Sequence, residues 1–200
     1  MKFVLTAFVL AATLIAAGTA SAEDMAGNTQ FLIGQRYLGD DRWKPLDSPS
    51  VFGVEVDFAP ASSPVRVALG VIVASESGTA TIADPFFGET GSVDSRFFEF
   101  SAGCVWHPVK KAIVRPYLGA GVLTMVAANG SDWGLFSSNS HNDQSYGFYG
   151  NAGVFFKVGA HFNIGIDGRI VRGTKIRIET FKLNADYEQL SLLLGFSWGK

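Results

Sequence analysis

The sequence holds a single cysteine, Cys104. One thiol closes no intramolecular disulfide and builds no thiolate cluster, which excludes a disulfide scaffold and a zinc ribbon. Cys104 therefore reads as a packing residue. Charge is scarce too: 16 Lys and Arg stand against 18 Asp and Glu in 200 residues, for a formal net charge of −2. No basic run occurs, so the electrostatic footprint of a nucleic-acid binder is missing and no nucleic-acid partner is expected. Beyond residue 22 no apolar run reaches the ~18 residues of a membrane-spanning helix. The three histidines, His107, His141 and His161, share no close spacing, so neither a metal site nor a cofactor is expected. What is abundant is an unusual pair. The 23 Gly and 17 Phe lie in a chain that is 48% hydrophobic, and apolar content combined with helix breakers points to strands.

The first segment stands apart. Lys2 precedes an almost wholly apolar stretch from Phe3 to Ala17, and Ala20-Ser21-Ala22 offers the small residues a signal peptidase requires. Residues 1–22 read as a secretory signal, with a membrane anchor as the alternative, and residues 23–200 as one domain. With no cysteine after the cleavage site, a lipoprotein anchor is not expected.

From there the chain alternates with period two in blocks of about ten residues. Phe52, Val54, Val56 and Phe58 share one face and Gly53, Glu55 and Asp57 the other. Val65, Val67, Leu69, Val71 and Val73 alternate with Arg66, Ala68, Gly70, Ile72 and Ala74, and Leu190, Leu192, Leu194, Phe196 and Trp198 alternate with Gln189, Ser191, Leu193, Gly195 and Ser197. With further strands near residues 30–38, 96–106, 114–126, 146–158 and 162–172, eight are predicted, the even number a single-chain bacterial barrel requires. Connections run long, short, long, short, long, short, long; the long ones are Gly39 to Ser50, Glu76 to Ser95, Asn129 to Ser145 and Gly173 to Asp186. That pattern predicts an all-β, eight-stranded antiparallel up-and-down transmembrane β-barrel, with short periplasmic turns, long extracellular loops and both ends of the domain on the periplasmic side.

Under this scheme Phe58, Trp106, Phe162 and Trp198 fall at the periplasmic ends of strands, and Tyr37, Phe52, Phe98, Phe148 and Tyr187 at the extracellular ends. Two aromatic belts separated by aliphatic residues suit two headgroup levels; the alternative is aromatics filling a soluble β-sandwich. The polar face carries Glu55, Asp57, Glu99 and Asp167 against Arg36, Arg66, Arg115, Lys157 and Arg169. Near balance predicts a charge network that plugs a narrow lumen, since charges withdrawn from water persist only when partnered. Arg66 and Glu99, on adjacent strands, are candidate partners, with Glu55 or Arg115 as alternatives; a solvated surface for all nine is the competing reading.

The segments Val114-Arg115-Pro116-Tyr117-Leu118-Gly119-Ala120-Gly121-Val122, Tyr149-Gly150-Asn151-Ala152-Gly153-Val154 and Leu192-Leu193-Leu194-Gly195-Phe196-Ser197-Trp198 resemble the outer-membrane protein β-barrel domain superfamily, the small OmpA-like and OmpX-like eight-stranded barrels. The resemblance covers nearly all of residues 23–200. It implies a monomer in the outer membrane of a Gram-negative bacterium, with membrane lipid and lipopolysaccharide as surroundings, the barrel-assembly machinery as partner during biogenesis, and an extracellular ligand that it does not name. It also implies a non-enzymatic structural or surface-interaction role through the extracellular loops. Members usually end on an aromatic residue, whereas Gly199 and Lys200 follow Trp198 here, so the sorting signal is offset. A periplasmic wall-binding domain is not expected.

Some relatives act on lipid A, using a His, a Ser in His-x-Ser spacing and a carboxylate, the His serving as base for the Ser. No His-x-Ser occurs here. His107 and His161 fall in periplasmic turns; only His141, in Ser138-Asn139-Ser140-His141-Asn142-Asp143-Gln144-Ser145, sits among serines and an acid on the extracellular side. No catalytic residue is assigned, and a lipid A deacylase-like enzyme stands as the alternative function. Gly119 and Gly121 lie within a strand and precede no helix, so they read as close packing rather than a phosphate loop. Asp84-Pro85-Phe86-Phe87-Gly88 and Trp133-Gly134-Leu135-Phe136 place aromatics in loops, as contact surfaces or as side chains folded on the rim.

Overall fold

Strands with one apolar face and one polar face satisfy their backbone groups only by pairing on both edges, and closure into a barrel leaves no edge exposed. The computed structural model describes residues 25–82, 89–109, 112–133, 136–178 and 181–199. Its strands are β1 (Met25–Leu38), β2 (Ser50–Pro60), β3 (Val65–Ile82), β4 (Glu89–Trp106), β5 (Val114–Trp133), β6 (Phe136–Val158), β7 (Phe162–Arg172), β8 (Lys175–Ile178), β9 (Phe181–Asn184) and β10 (Tyr187–Gly199). Eight of them close in the order β1-β10-β7-β6-β5-β4-β3-β2, every pair antiparallel, while β8 and β9 form a separate hairpin. Closure is made by β1 against β10, from Ala26 opposite Gly199 to Leu38 opposite Tyr187. The leader residues 1–22 and the Asp84–Gly88 cluster lie outside the described residues, as do Gly134, Leu135 and Lys200.

The wall is uneven in height. A membrane strand needs about 9–11 residues, which β2 and β7 supply with 11 each. β3 and β4 run to 18 residues, β5 to 20 and β6 to 23, so two long hairpins stand above the rest of the barrel. Much of what reads as long loop, Glu76 to Ser95 and Asn129 to Ser145, is therefore paired strand, with Ser77 opposite Asp94 and Asn129 opposite His141. These stretches carry no apolar alternation in the sequence, so period two does not reveal them.

Inside and outside are inverted relative to a soluble protein. Leu192 is 57% exposed, Val122 53% and Ile166 47%, and Ile33, Val71 and Leu190 also face outward. Arg36, Asp57 and Glu99 are fully buried in the lumen. Only a barrel whose exterior meets lipid is stabilised by that distribution.

Candidate functional site

The lumen is the part of the molecule where charge converges. Glu99 on β4 sits at its middle: Oε2 accepts from Arg36 Nη2 on β1 at 3.1 Å, and Oε1 accepts from Arg169 Nη2 on β7 at 2.8 Å. The Tyr187 hydroxyl donates to the same carboxylate. Arg169 also lies 3.6 Å from Glu55 on β2. Both guanidinium groups rest on aromatic faces, Arg36 over Tyr187 at 3.7 Å and Arg169 over Tyr149 at 3.9 Å. Planar, delocalised Arg suits such sandwiched burial better than Lys. Arg36 makes two further hydrogen bonds, to Gln189 Oε1 at 3.2 Å and to Met125 Sδ at 3.7 Å.

Toward the short-turn end lies a second cluster. Asp57 accepts from Arg66 Nη1 at 2.8 Å and from Gln30 Nε2 at 3.0 Å, with His107 at 4.0 Å. Asp167 stands apart from the arginines. It accepts from the Tyr117 hydroxyl and from Asn151 Nδ2 at 3.0 Å, and no Arg or Lys among the described residues reaches it within 4 Å. Gln30, Leu32, Glu55, Tyr117, Asn151, Asp167, Arg169, Gln189 and Leu193 surround the middle of the lumen, where no space for a water molecule remains.

All nine charged positions expected in the lumen have inward register, and eight of them are buried or half-buried there. Lys157 shares that register on β6 but is exposed, because it stands at the open end of the strand, one residue before the turn. It joins no ion pair among the described residues. This leaves four acids and four arginines. Arg66 and Glu99 are not partners either: Arg66 lies opposite Val105 and Glu99 opposite Ile72, a separation of six residues, or about 20 Å along the strands.

Of the nine belt aromatics, Tyr37, Phe52, Phe98 and Phe148 face outward at one end and Phe58, Trp106, Phe162 and Trp198 at the other. Tyr187 is the exception. It shares the inward face of β10 with Gln189 and Ser191 and is buried against Glu99, because facing follows the alternation and not the height along the strand. Cys104 faces outward and is exposed, on the apolar exterior.

The long-loop mouth is covered by residues that periodicity does not single out. A single 3-10 turn, Asp41–Trp43, folds inward so that Trp43 is buried edge-on against Phe97 with ring centroids 5.5 Å apart. Its indole Nε1 donates to the Asn184 carbonyl at 2.7 Å. Asp186 accepts from Thr174 N and Oγ1 at 2.9 and 3.0 Å, pinning the β8–β9 hairpin. Asp40 accepts from Arg42 N at 3.1 Å and pairs with its guanidinium, whose hydrogen bonds hold the Asp40 carboxyl well below the usual carboxylate range.

The histidines are divided between the two ends. His107 stacks near Phe155 and Tyr117 below Asp57, and His161 Nδ1 lies 3.1 Å from the Ser197 carbonyl. His141 belongs to β6, opposite Asn129, and its side chain lies outside the described residues. Gly119 and Gly121 face inward beneath Asn151 and Tyr149; a Cβ at Gly121 would stand 2.6 Å from Gly103 Cα.

No family model matches the chain, and no curated protein matches it in sequence. Solved structures do. Ail, the attachment invasion locus protein of Yersinia pestis, solved with the heparin analogue sucrose octasulfate, aligns over 88% of this chain and 99% of its own at a TM-score of 0.56 and 14% identity. The outer membrane protein OprG of Pseudomonas aeruginosa aligns over 90% and 97% at 0.56 and 13%. Neisserial surface protein A aligns over 86% and 96% at 0.53 and 14%. The chain has the fold of the small eight-stranded outer-membrane barrels. Identity this low carries the fold, not a shared ligand.

Proposed function

We propose that the chain is an integral monomeric barrel of the outer membrane, exported by its leader and folded by the barrel-assembly machinery. In this reading the short turns and both ends of the domain are periplasmic, and the tall β3–β4 and β5–β6 hairpins project outward to carry a structural or surface-contact role. The observation that carries it is the inversion of polarity: an exposed aliphatic band with aromatics at both ends surrounds a lumen filled by paired charges. Such an exterior is stable in lipid and aggregates in water. A filled lumen passes no large solute, so the loops are left to carry function.

Labelling tests the topology. Lys175→Cys in a Cys104→Ser background should react with a membrane-impermeant maleimide on intact cells, whereas Pro60→Cys, at the short-turn end of β2, should react only after lysis. The reverse pattern overturns the orientation. Purified protein in planar bilayers should give no stable porin-like conductance, and lipid A mass spectra should be the same with and without the gene. A lost acyl chain would replace this reading with the lipid-modifying one.

A further inference from the structure

One end of the lumen has more donors than acceptors. Beneath the charge network, at the short-turn mouth, an open pocket of about 30 Å³ is lined by Asn28, Arg66, His107, Arg115, Phe155 and Asn163, together with Val109 and Ser197. Its acceptors are already engaged. Asn28 Oδ1 accepts from Asn163 Nδ2 at 2.8 Å and Ser197 Oγ at 3.2 Å, and Asn163 Oδ1 accepts from Arg115 Nη2 at 2.9 Å.

Its donors are not. Arg115 makes that one hydrogen bond, meets no carboxylate within 4 Å among the described residues, and has a buried Nε with no partner. Arg66 gives only Nη1 to Asp57, and the Asn28 amide nitrogen donates to nothing among the described residues. A buried guanidinium nitrogen without an acceptor costs free energy that an anion would recover. The lumen's four arginines and four acids make the imbalance local: Asp167, the acid with no arginine, lies deeper in the barrel beside Tyr117, and Arg115 at the mouth meets no carboxylate within 4 Å among the described residues. The floor is aromatic, with Tyr117 and Phe155 stacked at 4.9 Å and His107 stacked over Phe155 at 6.5 Å.

We propose that this mouth is a binding site for a phosphoryl oxyanion, held by Arg115, Arg66 and the Asn28 amide. Donors on three different strands, β5, β3 and β1, suit a tetrahedral anion better than a planar carboxylate, and two guanidinium groups supply the charge-assisted bonds. The pocket is open outward, so both free phosphate and a phosphoryl group on a larger molecule have access.

The test uses the full domain refolded in dodecyl maltoside, which contributes no phosphate, at ionic strength fixed with chloride. Inorganic phosphate, glycerol 3-phosphate and acetate are titrated by calorimetry. Phosphate should bind saturably, and Arg115→Gln should weaken it by roughly tenfold or more, a typical charge-assisted contribution. Arg42→Gln, at the opposite end of the barrel, should bind as wild type does. Tighter binding of glycerol 3-phosphate would identify the ligand as a phosphoryl group on a larger molecule; equal binding, as free phosphate. Should Arg115→Gln fail to fold, the Arg115 Nε–Hε NMR resonance of the wild-type protein reads the same contact, and it should move with phosphate while that of Arg42 does not. No saturable binding, an unmoved Arg115 resonance, or acetate binding as tightly as phosphate overturns the proposal.

Discussion

Arg169 and Glu99 meet across the barrel at 2.8 Å, joining β7 to β4 through the lumen, while the same guanidinium approaches Glu55 on β2. With Arg36 on the other oxygen of Glu99, one carboxylate holds two buried arginines. Removing it leaves Arg36 without a carboxylate and Arg169 with Glu55 alone, at 3.6 Å. Glu99→Gln is expected to destabilise the barrel by ~3 to 5 kcal/mol, the cost of breaking a buried pair from one side. Replacing exposed Lys175 by Ala should cost no more than ~1 kcal/mol. Urea unfolding in micelles measures both; a Glu99→Gln midpoint equal to wild type would show the network to be energetically idle.

Arg66 and Asp57 form a separate unit at the short-turn mouth, joined at 2.8 Å. Arg66→Ala and Asp57→Ala should couple in a double-mutant cycle by ~0.5 to 3 kcal/mol, whereas Arg66→Ala and Glu99→Ala should add within ~0.5 kcal/mol because they share no partner. Strong coupling of the second pair would contradict the register that sets them six residues apart.

That difference marks where the sequence stops being informative. Period-two alternation identifies the eight strands and the inward face of each, because the repeat along a pleated strand is independent of its neighbours. It does not set the offset between strands, and an ion pair depends on that offset. Tyr187 illustrates the reverse case: its own strand's alternation places it inside with Gln189, and only its height suggests a belt. Trp43 carries no periodic signal at all. It is buried by contacts with Phe97 and the Asn184 carbonyl, which come together only once the barrel has closed. The polar upper parts of β3 to β6 are invisible for a third reason, since their residues show no hydrophobic alternation to read.

The outward aliphatic band has a direct test. Leu192 and Val71 face outward on β10 and β3, where Arg at the bilayer midplane costs ~2 to 4 kcal/mol. Leu192→Arg and Val71→Arg should lose heat-modifiable mobility after insertion into vesicles. Wild-type folding of both variants would mean that this band does not contact lipid.

Gly121 and Gly150 separate close packing from mere flexibility. A Cβ on inward-facing Gly121 meets Gly103 Cα at 2.6 Å and the Tyr149 ring at 2.7 Å, whereas one on outward-facing Gly150 finds its nearest neighbour at 3.9 Å. Gly121→Ala should cost ~1 to 3 kcal/mol through overpacking. Gly150→Ala should stay within ~0.5 kcal/mol, as an open surface position does. Equal costs would show that chain flexibility, not the approach of β4 and β6 side chains and backbone, selects glycine at Gly121.

Asp167 and Glu99 are both buried carboxylates, yet they should respond oppositely to loss of charge. Glu99 faces two arginines, while Asp167 faces only the Tyr117 hydroxyl and the Asn151 amide. Those two donors are neutral, and an asparagine oxygen accepts from them in the same place. Asp167→Asn therefore keeps its hydrogen bonds and removes a buried charge that no arginine contacts directly, so it should change stability by less than ~1 kcal/mol or raise it. Asp167→Ala, in contrast, leaves two buried donors without an acceptor and should cost ~1 to 3 kcal/mol. Measured in the same micelles as Glu99→Gln, the three variants form an ordered series. If Asp167→Asn fell as far as Glu99→Gln, Asp167 would be stabilising the arginines at a distance, and the division of the lumen into a charged centre and a neutral hydrogen-bonded flank would be wrong.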